Sequence, residues 1–320
     1  MVQFQVVDSI VRSILIGSMY TLVAIGITQT FAVTRIANFS HGELVTMGAY
    51  VAAIVTKLVS FPLSLPLAIA ASFAVSAAVI TSIDEIVFKP LTRRGATPLM
   101  LMVASFAVSI GLRYSMYVAV VSQKILTVMS EISVQVVYVV GDGQITNLFL
   151  WAVPITIVSV ILLEAIFRLT KVGKAMRAVA ENASLAAATG VDVDRIRRIT
   201  WIIGGGLAGV AGSMWSIYTQ TNPEIGWLIL LRGFAASTIG GLSSFSGTIL
   251  GGYIIGFAEN FVMDLLNRFL GINVIYKPTI TFIIMIVLLV FKPKGIVLEY
   301  TNLREGLAKL IREIRPSNRN

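Results

Sequence analysis

The chain has 320 residues, of which 56% are hydrophobic and 13% are charged, and its formal net charge is +9. Soluble domains carry ~25% charged residues, so this sequence lacks the polar surface that a soluble protein needs. We therefore predict an all-α, polytopic transmembrane helical bundle. The chain has no cysteine, which excludes disulfides, thiolate metal sites and a thiol nucleophile.

Apolar runs of the length needed to cross a bilayer, ~20 helical residues, recur along the chain. The predicted spans are Ile10–Val33, Gly42–Val59, Leu65–Val87, Pro98–Val121, Leu148–Leu169, Ile199–Gln220, Leu228–Leu242, Thr248–Leu266 and Thr279–Phe291. The first run follows no Lys/Arg-rich region and is interpreted as a retained span, not a signal peptide. The seventh is short and contains Arg232. It could be a half-span, so counts of eight and nine both stay open.

Basic residues are concentrated in alternate connections. They cluster at 89–94, at 171–198 and from 292 to the C-terminus. Because cytoplasmic loops are enriched in Lys and Arg, this pattern predicts an external N-terminus and an internal C-terminus. It also explains the positive charge through membrane topology and lipid contact, without nucleic acid. We divide the chain into a transmembrane domain, residues 1–298, and a basic cytoplasmic tail, residues 299–320.

Two segments share a faint internal similarity. "NFSHGELVTMGAY" (residues 38–50) and "SFSGTILGGY" (residues 244–253) both run from Phe-Ser through Gly to a Gly-x-Tyr ending. Paired Gly-containing segments in two halves are typical of pseudo-symmetric transporter cores. Chance recurrence of Phe, Ser and Gly at helix ends is the equal alternative. Both segments are predicted to begin a span at its cytoplasmic end.

Several ionisable residues fall within or beside apolar runs, where an unpaired charge is costly. Glu43 is interpreted as a first-turn residue at the positive end of a helix dipole, with a gating role as the alternative. Arg232 is expected to pair with Glu259 or Asp264, as a structural ion pair or as a contact on a translocation path. The candidate gating or structural residues are Asn38, His41, Gly42, Glu43, Arg232 and Glu259.

His41 is the single histidine of the chain. One imidazole without further His or Cys ligands is a poor metal site, so we expect a hydrogen bond at the helix entry and no metal. The sequence also offers no nucleophile–base constellation, which argues against an enzyme.

The polar stretch 171–198 interrupts the apolar chain. Its alanine-rich composition predicts a helix over 175–189 that stops at Gly190. Met176, Val179, Leu185 and Ala186 would form a narrow apolar face, and Asp194 would cap the following helix. The helix could rest on lipid, but its small alanine side chains favour docking into a partner protein.

The glycine cluster "GGGLAGVAG" (residues 204–212) lies inside a predicted span. Small residues four positions apart let two helices approach closely in lipid. The chain contains no Gly-x-x-x-x-Gly-Lys-Ser/Thr phosphate loop, so we predict close helix packing here.

Three stretches carry a family resemblance: "GSMYTLVAIGITQTFAVTRIANFSHGELVTMGAY", "RAVAENASLAAATGVDVDRI" and "GGLSSFSGTILGGYIIG". In this order they resemble the permease subunits of bacterial and archaeal ABC importers for branched-chain amino acids. The resemblance implies an ABC importer permease fold in the cell membrane. It also implies a coupling helix that meets an ATPase through Arg177, Ala178, Glu181, Asn182, Gly190 and Arg195. Where the family tends to have Glu-Ala-Ala, this chain has Ser184-Leu185-Ala186.

The same resemblance implies the assembly and its substrate. The chain would pair with a second, homologous permease, two cytoplasmic ATPases and an external solute-binding protein, and the ATPases would bind the ATP, so the chain needs no cofactor. Leu, Ile and Val are the implied solutes, whereas related permeases carry urea, amides or sugars. An ion-coupled secondary transporter is a further alternative, but it would require acidic residues at mid-span in both halves.

Overall fold

A computed structural model of the chain describes residues 5–292, 295 and 296. The long helices are α1 (Val6–Thr34), α2 (His41–Leu58), α3 (Ser64–Ile83), α5 (Pro98–Ser122), α6 (Asn147–Leu169), α9 (Val193–Tyr218), α10 (Ile225–Gly240), α11 (Phe245–Phe257) and α13 (Lys277–Phe291). The shorter ones are α4 (Lys89–Arg93), α7 (Lys171–Glu181), α8 (Ala183–Ala188) and α12 (Met263–Leu270). Helix α3 continues into α4 through a π-helical turn, Asp84–Phe88, and α11 continues into α12 through a second one, Ala258–Val262.

Each predicted apolar span coincides with a helix or with two continuous helices. Six helices in the described part of the chain are long and apolar enough to cross a membrane, and α10, with 16 residues, is apolar but shorter. A helical membrane bundle is therefore confirmed, but a count of eight or nine spans is not. The predicted boundary at residue 298 and the tail 299–320 lie outside the described residues.

The centre of the bundle is formed by α1, α2 and α9, and glycines make their close contacts. A β-carbon added to Gly48 in α2 would lie 2.6 Å from the α-carbon of Gly209 in α9. One added to Gly212 would meet the Val45 carbonyl and lie 2.7 Å from the Ala49 nitrogen. The predicted role of the 204–212 glycines in helix packing is confirmed, because these backbones touch without side chains between them.

One end of the bundle, named here the basic end, joins the end of α1, the end of α4 and the start of α9. The Arg35 guanidinium donates to the Ala180 carbonyl of α7 at 2.8 Å, and the Arg93 guanidinium pairs with the Asp194 carboxylate at 2.6 Å. These contacts bring the basic clusters at 89–94 and 171–198 to the same side of the bundle, as the predicted topology requires.

The opposite end carries a two-stranded antiparallel hairpin, β1 (Val136–Val140) and β2 (Gly143–Thr146). Its Gln144 amide donates to the Asp8 carboxylate in the first turn of α1 at 3.3 Å. The prediction of an all-α fold is wrong at this point. The five-residue run Val-Val-Tyr-Val-Val is rich in β-branched and aromatic residues, and the turn through Gly141, with φ +63°, uses a conformation that glycine tolerates.

Candidate functional site

The polar stretch forms two helices, α7 and α8, instead of the predicted single helix over 175–189. The Thr170 hydroxyl accepts from the Gly173 amide at 3.0 Å and caps α7. Asn182 has an extended backbone, with φ −154°. Its side-chain oxygen accepts from the Leu185 amide at 3.0 Å and caps α8. Asparagine is a strong N-cap residue, so it starts a new helix here instead of continuing the old one.

The two helices form a helical hairpin, named here the α7–α8 hairpin, and one of its faces is buried against the bundle. Met176, Val179 and Ala186 pack in a small cluster with Val33 of α1 and Ile196 of α9. Leu185, which was predicted to share the face, is 63% exposed. Leu185 follows Met176 by nine residues and Val179 by six, and at 3.6 residues per turn these spacings do not place it on their helical face, so its predicted place on that face is wrong. Leu185 therefore points away from the bundle, on an otherwise alanine-rich surface.

The hairpin is tied to neighbouring helices by main-chain contacts. The Arg177 guanidinium donates to the Phe167 carbonyl near the end of α6, and Arg35 donates to the Ala180 carbonyl. Gly173 packs directly on the Ile166 and Phe167 backbone. A displacement of α7 would therefore move the ends of α1 and α6 with it. Among the other predicted coupling residues, Ala178 and Glu181 are exposed.

The connection from α8 to α9 is short and well capped. Gly190 has φ +87° and open space where a β-carbon would lie. Asp192, not the predicted Asp194, caps α9 by accepting from the Arg195 amide at 3.0 Å. Asp194 is the second residue of α9, within its first turn, and binds Arg93 instead. The helix begins two residues earlier than the sequence predicts, and this shifts the cap to Asp192.

Two ion pairs that the sequence did not predict join the start of α9 to the π-helical turn after α3. Arg197 pairs with buried Asp84 at 2.7 Å, and Arg198 pairs with Glu85 at 2.6 Å. The basic residues are evident in the sequence, but the acidic partner of each arginine lies 113 positions earlier, so the sequence does not indicate the pairing. These pairs therefore hold the start of α9, just after its connection from α8, against the end of α3.

The candidate gating segment 38–43 begins α2 inside the bundle, not at its surface. A β-carbon on Gly26 of α1 would lie 2.7 Å from the His41 ring, and Gly26 lies about 12 Å before the end of α1 at 1.5 Å per residue. The start of α2 is therefore recessed into the bundle relative to the end of α1. The Asn38 side-chain oxygen accepts from the Ser40 amide at 3.0 Å and from its hydroxyl at 2.6 Å, which folds the entry turn.

The His41 ring is 1% exposed. It lies near the Val23 backbone, but neither ring nitrogen has a hydrogen bond of normal geometry within the described residues. The expected helix-entry hydrogen bond is therefore not found. The ring instead packs closely on Gly26, as a spacer between α1 and α2.

Gly42 and Glu43 connect the start of α2 to two other helices. Gly42 packs on the carbonyl of Gly226, the second residue of α10, so α10 also begins inside the bundle. The Glu43 carboxylate accepts from Arg113 of α5 at 2.6 Å and from Ser109 at 3.0 Å. Glu43 lies in the first turn as predicted. Its main partner, however, is Arg113, and the sequence does not predict this pair.

Around this ion pair, aromatic rings from three segments are in contact. The Arg113 guanidinium lies 5.0 Å from the centre of the Trp227 ring of α10, a cation–π distance. Phe39, Phe106 and Phe234 complete the group, with ring centres 5.2–6.4 Å apart. This group of aromatic rings therefore joins the segment before α2 to α5 and to the short helix α10.

Arg232 of α10 forms its predicted ion pair with Glu259, at 2.7 Å. Glu259 lies in the second π-helical turn. The same carboxylate accepts from Tyr20 of α1 at 2.7 Å and from Thr281 of α13 at 2.6 Å. Asp264, the alternative partner, accepts from the Ser9 hydroxyl at 2.6 Å. Buried charges are tolerated when they are paired and hydrogen-bonded, and Glu259 satisfies both conditions. It fixes four helices to one another.

Comparison with known proteins gives a consistent result. A family model described as branched-chain amino acid transport system, permease component, matches residues 9–289. The chain is 34% identical to a probable branched-chain amino acid transport permease protein, LivH, of Methanocaldococcus jannaschii, covering 89% of this chain and 90% of the relative. It is 30% identical to the high-affinity branched-chain amino acid transport permease protein BraD of Pseudomonas aeruginosa, covering 92% and 96%. It is 29% identical to the corresponding protein LivH of Escherichia coli, covering 89% and 93%.

Proposed function

Because this chain belongs to the family of branched-chain amino acid transport permease components, we propose that it moves Leu, Ile and Val into the cell as the membrane subunit of an ATP-driven importer. Membership makes it a multi-pass permease subunit that works with other ABC components. The relatives named for branched-chain amino acids match over about nine-tenths of both chains. This coverage supports transfer of the substrate class.

The proposed assembly contains a second, homologous permease, two cytoplasmic ATPases and an external solute-binding protein. The chain has no phosphate-loop sequence, so ATP would bind to the ATPases and no cofactor to this subunit. The basic end would face the cytoplasm, because cytoplasmic connections are enriched in Lys and Arg. The N-terminus would then lie outside and the C-terminus inside, in a cytoplasmic or inner membrane.

One observation supports the coupling mechanism most directly. The α7–α8 hairpin is buried on one face against α1 and α9, while α8 exposes every residue except Ala186. An ATPase groove could hold this exposed, alanine-rich surface, together with Ala178 and Glu181. Arg35 and Arg177 would pass its displacement to α1 and α6, and the connection through Gly190 to Arg195 would pass it to α9. Such coupling requires two conformations that the ATPase states favour differently.

The moving element would be the region where α2 and α10 both begin inside the bundle. Broken helices that start within a membrane protein expose helix ends to a central path, as in many transporters. Asn38, His41, Gly42 and Glu43 lie in this region, whereas Arg232 and Glu259 hold α10 to α11 and α13. We assign the first set to gating and the second to holding the helices in register.

The test is reconstitution of the complete complex in vesicles with the external solute-binding protein. ATP enclosed in the vesicles, on the side opposite the solute-binding protein, should drive leucine uptake, and an uncoupler should leave uptake unchanged. Uptake that collapses with the uncoupler and persists without ATP would identify a secondary transporter instead. Competition by Ile and Val, but not by urea or a sugar, would separate the branched-chain substrate from the alternatives.

A further inference from the structure

A cavity of about 290 Å³ lies beside α7, the first helix of the α7–α8 hairpin. It is lined by α1, α6, α7, the connection between α10 and α11, and the first residues of α11. The lining residues used below are Gln29, Val33, Glu164, Phe167, Arg168 and Phe245. The volume is at the lower limit of the ~300–1,000 Å³ of small-molecule sites, so it suits a ligand of amino-acid size better than a phospholipid with two acyl chains.

Gln29 is the unusual residue of this cavity. Its side chain is 2% exposed, and neither its amide nitrogen nor its amide oxygen has a hydrogen-bond partner among the described residues. The neighbouring Thr28 hydroxyl is already engaged with Ser237 at 2.5 Å and Thr248 at 2.7 Å. Buried polar groups are almost always hydrogen-bonded, so an amide with two free functions beside a cavity points to a missing partner.

The remaining lining defines the chemistry of that partner. Glu164 and Arg168 form an ion pair at the rim, one turn apart on α6, and present a carboxylate and a guanidinium side by side. Val33, Phe167 and Phe245 provide an apolar wall. A ligand that matches this set has a cationic group, an anionic group and an aliphatic portion, and at least one donor or acceptor for the Gln29 amide.

We propose that this cavity binds a free aliphatic α-amino acid, reached from the basic end of the bundle. The ammonium and carboxylate groups face Glu164 and Arg168, the Gln29 amide binds one of them, and the aliphatic side chain lies against the two phenylalanines. This inference rests on the proposed function, since it assigns the transported class of solute to a site on the ATPase side of the permease. An occupant contacts both the membrane helices and the hairpin, so its binding and the hairpin position must influence each other.

The experiment measures binding of radiolabelled leucine to the complete complex in phosphatidylcholine nanodiscs, without the solute-binding protein and without nucleotide. We expect saturable binding that isoleucine and valine displace. Neither 4-methylpentanoate, which lacks the ammonium group, nor 3-methylbutylamine, which lacks the carboxylate, should displace it. Gln29→Leu should weaken binding about tenfold, the loss of roughly one or two hydrogen bonds, without lowering the unfolding temperature.

Two further variants make the result specific. Gln220→Leu changes an exposed glutamine two residues after the end of α9, outside the cavity. This variant should bind leucine like the wild type. Ala32→Phe fills the cavity from its apolar side and should abolish binding. Absence of leucine binding to the wild type, equal binding by Gln29→Leu, displacement by the singly charged analogues, or a co-purified phospholipid that Ala32→Phe removes would each overturn the inference. If the wild type still takes up leucine with its solute-binding protein, the proposed function stands although this site does not.

Discussion

The Glu43 carboxylate of α2 lies 2.6 Å from the Arg113 guanidinium of α5, and the Glu43 side chain is fully buried. Arg232 and Glu259 make a comparable pair between α10 and the second π-helical turn. Both pairs hold helices that begin or bend inside the bundle. Charges inside a membrane protein are costly unless they are paired, so each pair fixes the relative position of its helices as long as both partners remain.

Removal of one partner should therefore cost more than removal of both. Glu43→Ala leaves Arg113 charged and without its carboxylate, and breaking a buried pair costs about 3–5 kcal/mol. We expect a marked fall in the thermal unfolding temperature of the purified protein. The double variant Glu43→Leu with Arg113→Met should recover a large part of that loss, because no unpaired charge remains.

The matched control is an exposed ion pair. Arg198→Gln removes one partner of Glu85, which keeps its ion pair with Lys89, at a site where the arginine side chain is 51% exposed. Surface pairs contribute about 0–1 kcal/mol. Its unfolding temperature should stay close to that of the wild type. Equal losses in Glu43→Ala and Arg198→Gln would show that burial does not control the strength of these pairs.

The glycine contacts at the centre of the bundle lead to a second prediction. Gly212→Ala places a methyl group against the Val45 carbonyl and 2.7 Å from the Ala49 nitrogen, so α2 and α9 must separate. We expect lower expression and a lower unfolding temperature, since overpacking costs about 1–3 kcal/mol. Gly111→Ala is the control, because nothing lies within 4 Å of the added carbon. That variant should be neutral or slightly stabilised, as alanine is the better helix former.

The sequence predicted the apolar helices well because hydrophobic runs and glycine spacing are local signals. It also predicted a partner for Arg232, either Glu259 or Asp264, since charges within apolar runs require partners, and the partner found is Glu259. It missed Arg113 as the partner of Glu43 because the two lie 70 positions apart, and separation along the chain carries no information about contact. The entry of α2 inside the bundle depends on Gly26, which packs against both the His41 ring and the Gly204 carbonyl, and this is tertiary structure alone.

Local capping accounts for the other differences. A run of alanines favours one helix, but the side-chain bond of Asn182 stops α7 and begins α8. The hairpin residues Val136–Val140 are too few for a span and lie between two predicted spans. Their strand structure follows from pairing with Gly143–Thr146. At Asn182 a single polar side chain outweighs the helical tendency of the residues around it, whereas the hairpin follows the β tendency of its first strand.

Orientation in the membrane can be measured with single cysteines, because the natural chain has none. Ser184→Cys places a thiol on exposed α8, and Ser133→Cys places one before the hairpin at the opposite end. In intact cells, an impermeant maleimide should label Ser133→Cys and not Ser184→Cys, and both should react after the membrane is opened. The reverse pattern would place the basic end outside and remove the proposed contact with an ATPase.

The exposed surface of α8 should be necessary for assembly. Leu185→Arg adds a charged side chain where Leu185 is 63% exposed, so the fold should persist while an apolar groove on a partner rejects it. We expect the ATPase subunits to be lost from the purified complex. Leu58→Arg, at a leucine that is 79% exposed at the far end of α2, should retain them. Loss of the ATPases from both variants would point to a general defect in assembly.

Asn182 separates assembly from coupling. Its side chain caps α8, and replacement of an N-cap residue by alanine costs about 1 kcal/mol. In Asn182→Ala, α8 should lose its fixed angle to α7 while its exposed residues remain available. The ATPases should therefore still co-purify, but ATP hydrolysis should drive less leucine uptake, so the ratio of leucine moved to ATP consumed should fall. Asn182→Asp keeps an oxygen acceptor at the cap and should keep the ratio. Because both variants remove the amide nitrogen and only one removes the cap, a fall in both would assign Asn182 to direct contact with the ATPase instead of to the angle of the hairpin.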